Sequence, residues 1–392
     1  MNIKTSKLIE SSGFYAFAAI DKKVQELKAT GREVIDFGVG DPKAPTPDFV
    51  IDALCTGVRA RASYGYPSYV GDISFREVAA KYMQETFGVE VDSETEVTVS
   101  IGSKESVFHF PRAFVDSGDI VICPTPGYPP YKKGTEYAGG VPYFVPLTEE
   151  NDFLMDYESI PEEIAQKAKI IWTCYPNSPT GKLAPREWIE GLVAWAQKYE
   201  IIIAADEGCY HEIYFGEKPI SILEIAKEGV VVFYSLSKTF NMTGYRVGFL
   251  AGDKRIIAAF RKIKTQIDSG CPTFVQDGAS AALGNKSFPE KVRKEYKTKR
   301  EILLSALASV GLPPCQSEGT FYLWQKAPEG FSGKDLAMKL IELGIVVTPG
   351  EWISDKAFDG KNPGENFVRF ALVATLEEVK AAALKIEAEL EF

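Results

Sequence analysis

Through the middle of the chain, short apolar runs alternate with stretches of helical periodicity. Residues 95–100, 119–123, 141–145, 170–174, 201–205, 230–234 and 246–251 predict seven buried strands. Helical patterns separate several of them, as at 185–199 after the Gly181 turn. Near-continuous apolar strands alternating with helices are the mark of a mainly parallel sheet covered on both faces. The expected fold class is α/β, with a mainly parallel seven-stranded sheet in a large domain. Such sheets place their ligands beyond the carboxyl ends of the strands.

The ends read differently. Residues 17–29 predict one helix, followed by a Gly/Pro-rich stretch. Residues 287–309 predict a long charged helix. A strand at 319–325, a helix at 333–343, a strand at 366–373 and a helix at 376–390 follow it. This α+β pattern predicts a smaller domain built from both termini. The expected division is an N-terminal arm and part of the small domain at 1–45, a large domain at 46–286, and the rest of the small domain at 287–392.

Composition narrows the function classes. A chain of 392 residues, 45% hydrophobic and 25% charged, is long enough for two domains or one large one with an appendage, and can bury a core and still form a cleft. The net charge of −10, with no basic stripe, argues against a nucleic-acid partner. The run 291–300 alternates bases with acids and reads as a solvated helix face. No run approaches the ~20 apolar residues of a membrane span. Residues 1–10 lack the apolar core of a signal peptide, so a cytoplasmic protein is expected. The six cysteines are scattered without a C-x-x-C and read as reduced thiols. Two histidines, His109 and His211, without supporting cysteine spacing, give no expected metal site.

The candidate chemistry gathers at strand ends. Lys238 follows an apolar strand in the segment Val231 to Arg246. A lysine at the end of a buried strand can be partly desolvated, which favours the free amine that attacks an aldehyde. Ser-Lys-Thr alone reads better as a loop tripeptide. Its neighbours Ser235, Ser237 and Arg246 add two hydroxyls and a guanidinium fork that suit a phosphate. Asp206 ends the strand at 201–205; alone it reads evenly as a helix cap or a buried ion pair. An amine and a carboxylate at two strand ends also fit the opposite ends of a pyridoxal phosphate ring, whose nitrogen a carboxylate keeps protonated. Gly102-Ser103-Lys104 sits between a strand and a helix, where backbone amides bind phosphate, although its order is not that of a P-loop. Pro111 predicts a kink in that helix. Asn177, in Tyr175-Pro-Asn-Ser-Pro-Thr-Gly181, reads as a turn residue or as a partner of a ring hydroxyl. Arg369, in the strand Phe367 to Val373, reads as a structural pair or as a clamp on a substrate carboxylate.

The ordered set Asn177-x-Pro-Thr-Gly, Asp206, Ser235-x-Ser-Lys238 and Arg246 resembles the class I/II aminotransferases of the aspartate aminotransferase fold type. The resemblance spans nearly the whole chain. It implies a pyridoxal 5'-phosphate enzyme acting as a homodimer with shared active sites. It gives Lys238 the role of holding the cofactor covalently and then shuttling the Cα proton. Asp206 takes the ring nitrogen, while Tyr210 and Asn177 flank the ring hydroxyl. Tyr128 stacks on the ring. Ser103, Lys104, Ser235, Ser237 and Arg246 form the phosphate cup, and Tyr66 reaches the neighbouring subunit's phosphate. Arg369 and the Gly40 backbone hold the substrate carboxylate. One spacing departs from the family. The tyrosine usually lies three residues after the aspartate, whereas Asp206-Glu-Gly-Cys-Tyr210 places it four after. A bulge at Gly208 would restore its aim.

Several segments, among them Phe14-Tyr-Ala-Phe-Ala18 and Lys264-Thr-Gln-Ile-Asp-Ser-Gly270, are similar to a subgroup that includes LL-diaminopimelate aminotransferases. There the position of Tyr15 touches substrate. Some of those enzymes carry an acidic residue near the segment that here reads Tyr66-Pro-Ser-Tyr69. The expected reaction is a ping-pong transfer from LL-diaminopimelate, aspartate or alanine to an oxo acid such as 2-oxoglutarate. The alternatives are a pyridoxal-dependent C–S lyase and an aminotransferase-like ligand sensor.

Overall fold

The computed structural model describes residues 1, 3–10, 22, 24–27, 29, 31 and 33–392. Of the predicted helix at 17–29, residues 22, 24–27 and 29 are described and are helical, and Tyr15 lies outside the described residues.

Seven strands form the central sheet: β2 (Val97–Ser100), β3 (Ile120–Thr125), β4 (Val141–Pro146), β5 (Ala168–Thr173), β6 (Ile202–Gly208), β7 (Val230–Ser235) and β8 (Gly248–Gly252). Their order is β2-β8-β7-β6-β5-β3-β4. β3 through β7 pair in parallel, whereas β8 runs antiparallel to both neighbours, β2 and β7. Burial explains the apolar runs: every residue of β7 and β8 is buried. One face packs on α1 (Asp48–Ala60), α2 (Ile73–Phe87) and α5 (Arg186–Lys198), the other on α3 (Ser103–His109), α4 (Pro129–Ala138) and α6 (Lys254–Lys264). α7 (Thr273–Leu283) lies along α1. It fits closely there because a Cβ at Gly278 would meet the Leu54 side chain within 2.6 Å.

The α3 region differs from the expected kink. The helix stops at His109, and a 3-10 turn carries Phe110–Ala113. Pro111 lacks the amide that another α-helical turn would need.

The second layer contains α8 (Ser287–Ser309), β9 (Tyr322–Lys326), α9 (Gly333–Glu342), β11 (Thr348–Pro349), β12 (Phe367–Ala371) and α10 (Leu376–Glu389). Its sheet has the order β11-β12-β9, all antiparallel. The N-terminal β1 (Ile35–Asp36) pairs with β10 (Ile345–Val346), tying the start of the chain to this layer. A separate hydrophobic core, including Phe37, Leu303, Phe321 and Phe370, fills it. The run of α8 at 291–300 departs from the expected solvated face at Val292, Tyr296 and Lys299, which are buried. Lys299 is buried, paired with Glu295 at 2.6 Å and packed over Tyr296.

No helix among the described residues is long and apolar enough to cross a membrane.

Candidate active site

The carboxyl ends of the parallel strands and one face of the three-stranded sheet converge on a cavity of about 430 Å³. That is the size of a small-molecule site, and its walls are mainly apolar with a few convergent polar groups.

Asp206 enters from β6. The ladder between β6 and β7 shifts register between Ala205 and Gly208, so the strand carries the expected bulge and continues past Asp206. The glycine is needed there, because a Cβ on Gly208 would overlap the Tyr234 ring. The bulge turns Glu207 away from the cavity, where it accepts from Ser221 Oγ at 2.5 Å, and delivers Asp206, Cys209 and Tyr210 into the lining. Asp206 is 4% exposed. Tyr131 donates its hydroxyl to Oδ2 at 2.9 Å, and the Cys209 thiol lies 3.8 Å from Oδ1. Burial pushes the Asp206 carboxyl up to about 6 against these two donors. Burial, reinforced by Asp206, pushes the Cys209 thiol up to about 12, so it stays protonated.

β7 delivers the amine. Lys238 Nζ donates to the Gly40 carbonyl at 2.6 Å and lies over the Phe321 ring. Ser235 Oγ accepts from the Ser237 amide at 3.2 Å. Arg246 precedes β8 in a left-handed conformation, φ 53°, rather than in the strand expected at 246–251. Its Nη1 donates to the Thr243 carbonyl at 2.6 Å. Gly102, φ 71°, precedes α3, and a Cβ there would lie within 2.5 Å of the Arg246 guanidinium. Ser103, Lys104, Ser235, Ser237 and Arg246 therefore line one end of the cavity together. Three hydroxyls, a helix start and a guanidinium form a donor set for a phosphate.

Arg369 comes from β12 and is 7% exposed. Its Nη2 donates to the Gly38 carbonyl at 2.8 Å. Its guanidinium lies 4.6 Å over the Tyr322 ring. Tyr322, on β9, also reaches Gly40 and Tyr210: a Cβ at Gly40 would overlap its hydroxyl, and the Tyr210 hydroxyl is 3.4 Å from it.

Other expectations land differently. Tyr128 lines the cavity mouth, edge-on to Tyr131 with ring centres 5.8 Å apart. Asn177 does not line the cavity. Its amide donates to the Cys174 carbonyl at 3.0 Å and accepts from the Thr180 hydroxyl at 2.8 Å, so the turn describes its contacts. Tyr66 is 91% exposed and is not among the lining residues. Sequence reasoning missed Tyr131, Tyr322 and Cys209. A tyrosine buried beside a strand-end carboxylate is the signal for Tyr131, since a buried hydroxyl needs a partner.

The residues present fit pyridoxal phosphate. Asp206 is a buried carboxylate whose two recorded donors are neutral, and a protonated ring nitrogen supplies the missing cation. The phosphate donors and Lys238 lie in the same cavity.

Comparison with known proteins agrees with this geometry. Residues 32–386 match the family described as aminotransferase class I and II. The LL-diaminopimelate aminotransferase of Aquifex aeolicus is 46% identical over 95% of this chain and 96% of its own. That of Syntrophobacter fumaroxidans is 41% identical over 94% of both chains. Among solved structures, substrate-bound BacF from Bacillus subtilis superposes with a TM-score of 0.91 at 32% identity, covering 100% of this chain and 99% of that one. A Thermus thermophilus aspartate aminotransferase mutant superposes with a TM-score of 0.90 at 26% identity, covering 99% and 100%.

Proposed function

Because the chain belongs to the aminotransferase class I and II family and is a pyridoxal-phosphate-dependent aminotransferase, we propose that its amino donor is LL-diaminopimelate and its acceptor a 2-oxo acid such as 2-oxoglutarate. The observation that carries the donor is the 46% identity, over nearly the full length of both chains, to an enzyme named for that substrate.

The cofactor, when bound, supplies an aldehyde that receives the amino group and a ring that draws electrons from the donor's Cα. The roles of the chain's own residues follow from where they lie. Ser103, Ser235, Ser237 and Arg246 hold the phosphate, and Lys104 stands at the same end. Asp206, backed by Tyr131, keeps the ring nitrogen protonated. Tyr210 borders the ring hydroxyl, and Tyr128 covers the ring. Arg369 clamps the donor's α-carboxylate beside Gly40. Clamping one end of the donor fixes its Cα near Lys238, and such positioning supplies much of the rate. Lys238 Nζ then takes the Cα proton and would return it two bonds away, on the far side of the transferred nitrogen. The pocket walls Ile353, Pro129 and Tyr131 exclude water from this step.

The same reading makes the protein a homodimer, with Tyr66 reaching the phosphate in the neighbouring copy. It also divides the chain into a large cofactor-binding domain at 46–286 and a small domain completed by 287–392.

A panel of amino donors with 2-oxoglutarate tests the assignment. LL-diaminopimelate is expected to exceed aspartate and alanine in kcat/KM by about tenfold or more, the discrimination of one well-placed polar contact. Initial-velocity plots are expected to be parallel, as ping-pong transfer requires. A better rate with aspartate overturns the donor, and intersecting lines overturn the mechanism. An oxo acid released without any acceptor identifies a lyase instead.

A further inference from the structure

Tyr322 touches three parts of the site that the reaction must coordinate, and no role above accounts for it. It lies on β9 opposite Ala371, and Arg369 is its diagonal neighbour on the same face of the sheet. Diagonal neighbours in an antiparallel pair are within reach of long side chains. The small Ala371 leaves the Tyr322 ring open to the Arg369 guanidinium, which stacks over it at 4.6 Å. The ring is 5% exposed, so this contact is largely desolvated. Its hydroxyl lies against Gly40, where a side chain would overlap it, and the Gly40 carbonyl is the group that holds Lys238 Nζ at 2.6 Å. The same hydroxyl is 3.4 Å from that of Tyr210. The position of Tyr322 is itself fixed, since its amide donates to Thr320 Oγ1 at 3.0 Å and its carbonyl accepts from Ser317 Oγ at 3.4 Å.

We propose that Tyr322 is a positioning residue that couples the carboxylate clamp to the ring-side hydroxyl: its ring sets the Arg369 guanidinium, and its hydroxyl anchors Tyr210. This rests on the roles given above to Arg369 and Tyr210. The two functions separate chemically. The ring acts through a cation held over its face, which any aromatic of that size provides. The hydroxyl acts through a hydrogen bond that only tyrosine provides, and either phenol can donate because both protons rotate freely. As the site stands Tyr210 donates to Tyr322; with a ring oxygen to receive the Tyr210 proton the direction reverses, and a hydroxyl that accepts from a neighbour is a stronger and better-aimed donor than one left alone in a buried site.

Tyr322→Phe and Tyr322→Leu, purified as cofactor-loaded full-length enzyme, separate the two. Tyr322→Phe keeps the ring, so KM for the amino donor is expected to stay within about twofold, because the cation–aromatic contact remains. Its kcat is expected to fall about tenfold, one hydrogen bond's worth of aim. The pH midpoint of the visible absorption band is expected to rise by about half a unit or more as donation toward the ring weakens. Tyr322→Leu is expected to add a rise of about tenfold in KM and in the dissociation constant of succinate, an unreactive dicarboxylate. A Phe variant with the wild-type kcat and wild-type midpoint overturns the hydroxyl's role. A folded Leu variant that binds succinate like the wild type overturns the ring's role. Should Tyr322→Leu fail to fold, succinate binding by Tyr322→Met, which fills much of the same space without an aromatic face, decides the ring's role, and the midpoint of the Phe variant still decides the hydroxyl's. The midpoint needs no donor, so an enzyme inactive with every donor tried would sink the donor assignment and still test Tyr322.

Discussion

Asp206 shows what a single side chain contributes here and what it costs. Its carboxyl is pushed from 3.8 to about 6 by burial, with Tyr131 and Cys209 offsetting part of the penalty. Below about pH 4 the group is protonated in folded and unfolded chains alike and contributes nothing. As the pH rises toward 6, the unfolded chain releases its proton first, so stability falls. Above 6 the loss is complete, at about 3 kcal/mol. A cation on the bound cofactor removes that penalty, because an opposite charge favours the ionised form. Stripping the cofactor is therefore expected to leave an apoenzyme that loses stability between pH 4.5 and 7. Asp206→Asn in the apoenzyme should lack this component. Urea denaturation of both apoproteins at the two pH values measures it, and subtracting one from the other cancels Glu207, which also titrates upward, near 8. Parallel pH dependence in the two proteins would mean that the carboxylate is already neutralised without cofactor.

At the scale of elements, the site depends on how β6 ends. A regular strand would carry Asp206 and Tyr210 onto the same face by simple alternation, since their spacing is even. The extra residue instead sits in the register shift between Ala205 and Gly208, and the strand re-aims around it. Gly208 is the hinge of that arrangement, pressed against Tyr234. Gly208→Ala is expected to destabilise the protein by about 1–3 kcal/mol through overpacking and to lower kcat by displacing Tyr210, with the loss read from the urea midpoint and steady-state rates. Unchanged values for both would place the bulge outside the catalytic geometry. The same strand marks what sequence makes legible. The runs that became β3, β5, β6 and β7 were readable because strands buried on both faces must be apolar along nearly their whole length. The bulge could be suspected because Tyr210 lies one residue further from Asp206 than the family spacing, and the extra residue has to go somewhere. The antiparallel course of β8 was not readable, since an apolar run has the same composition in either direction. Arg246 looked like the first residue of that strand, yet it takes a left-handed turn that brings its guanidinium to Gly102. Asn177 carried the right motif and still spends its amide on its own turn. Tyr131 and Tyr322 were hidden because an aromatic in an apolar run reads as core until its hydroxyl's partner is seen.

At the scale of the whole molecule, one surface asks for a partner. Ile51, Val58, Tyr64, Tyr66, Tyr69, Ile73 and Phe274 are exposed apolar or aromatic side chains from α1, the 64–71 segment, the start of α2 and α7. The segment is held in place, because Gly270 packs against Ser68 and Pro67 closely enough to exclude a side chain. A fixed cluster of this kind marks an interaction surface, and self-association is the economical way to cover it. The proposed homodimer is expected to sediment at about twice 43.2 kDa. Mass alone does not test shared sites, but mixing two damaged proteins does. Lys238→Ala loses the amine, and Tyr66→Ala loses the group proposed to cross to the neighbour's phosphate. If each site takes Lys238 from one copy and Tyr66 from the other, a hybrid dimer has one site with both lesions and one with neither. Refolding the two variants together at equal concentration makes half of the dimers hybrid, so activity should recover to roughly a quarter of the wild-type value at limiting cofactor. If both residues instead serve the same copy's site, each hybrid site carries one lesion and no recovery follows. Activity that stays at the sum of the separate variants would therefore remove Tyr66 from the neighbouring site, even for a protein that sediments as a dimer.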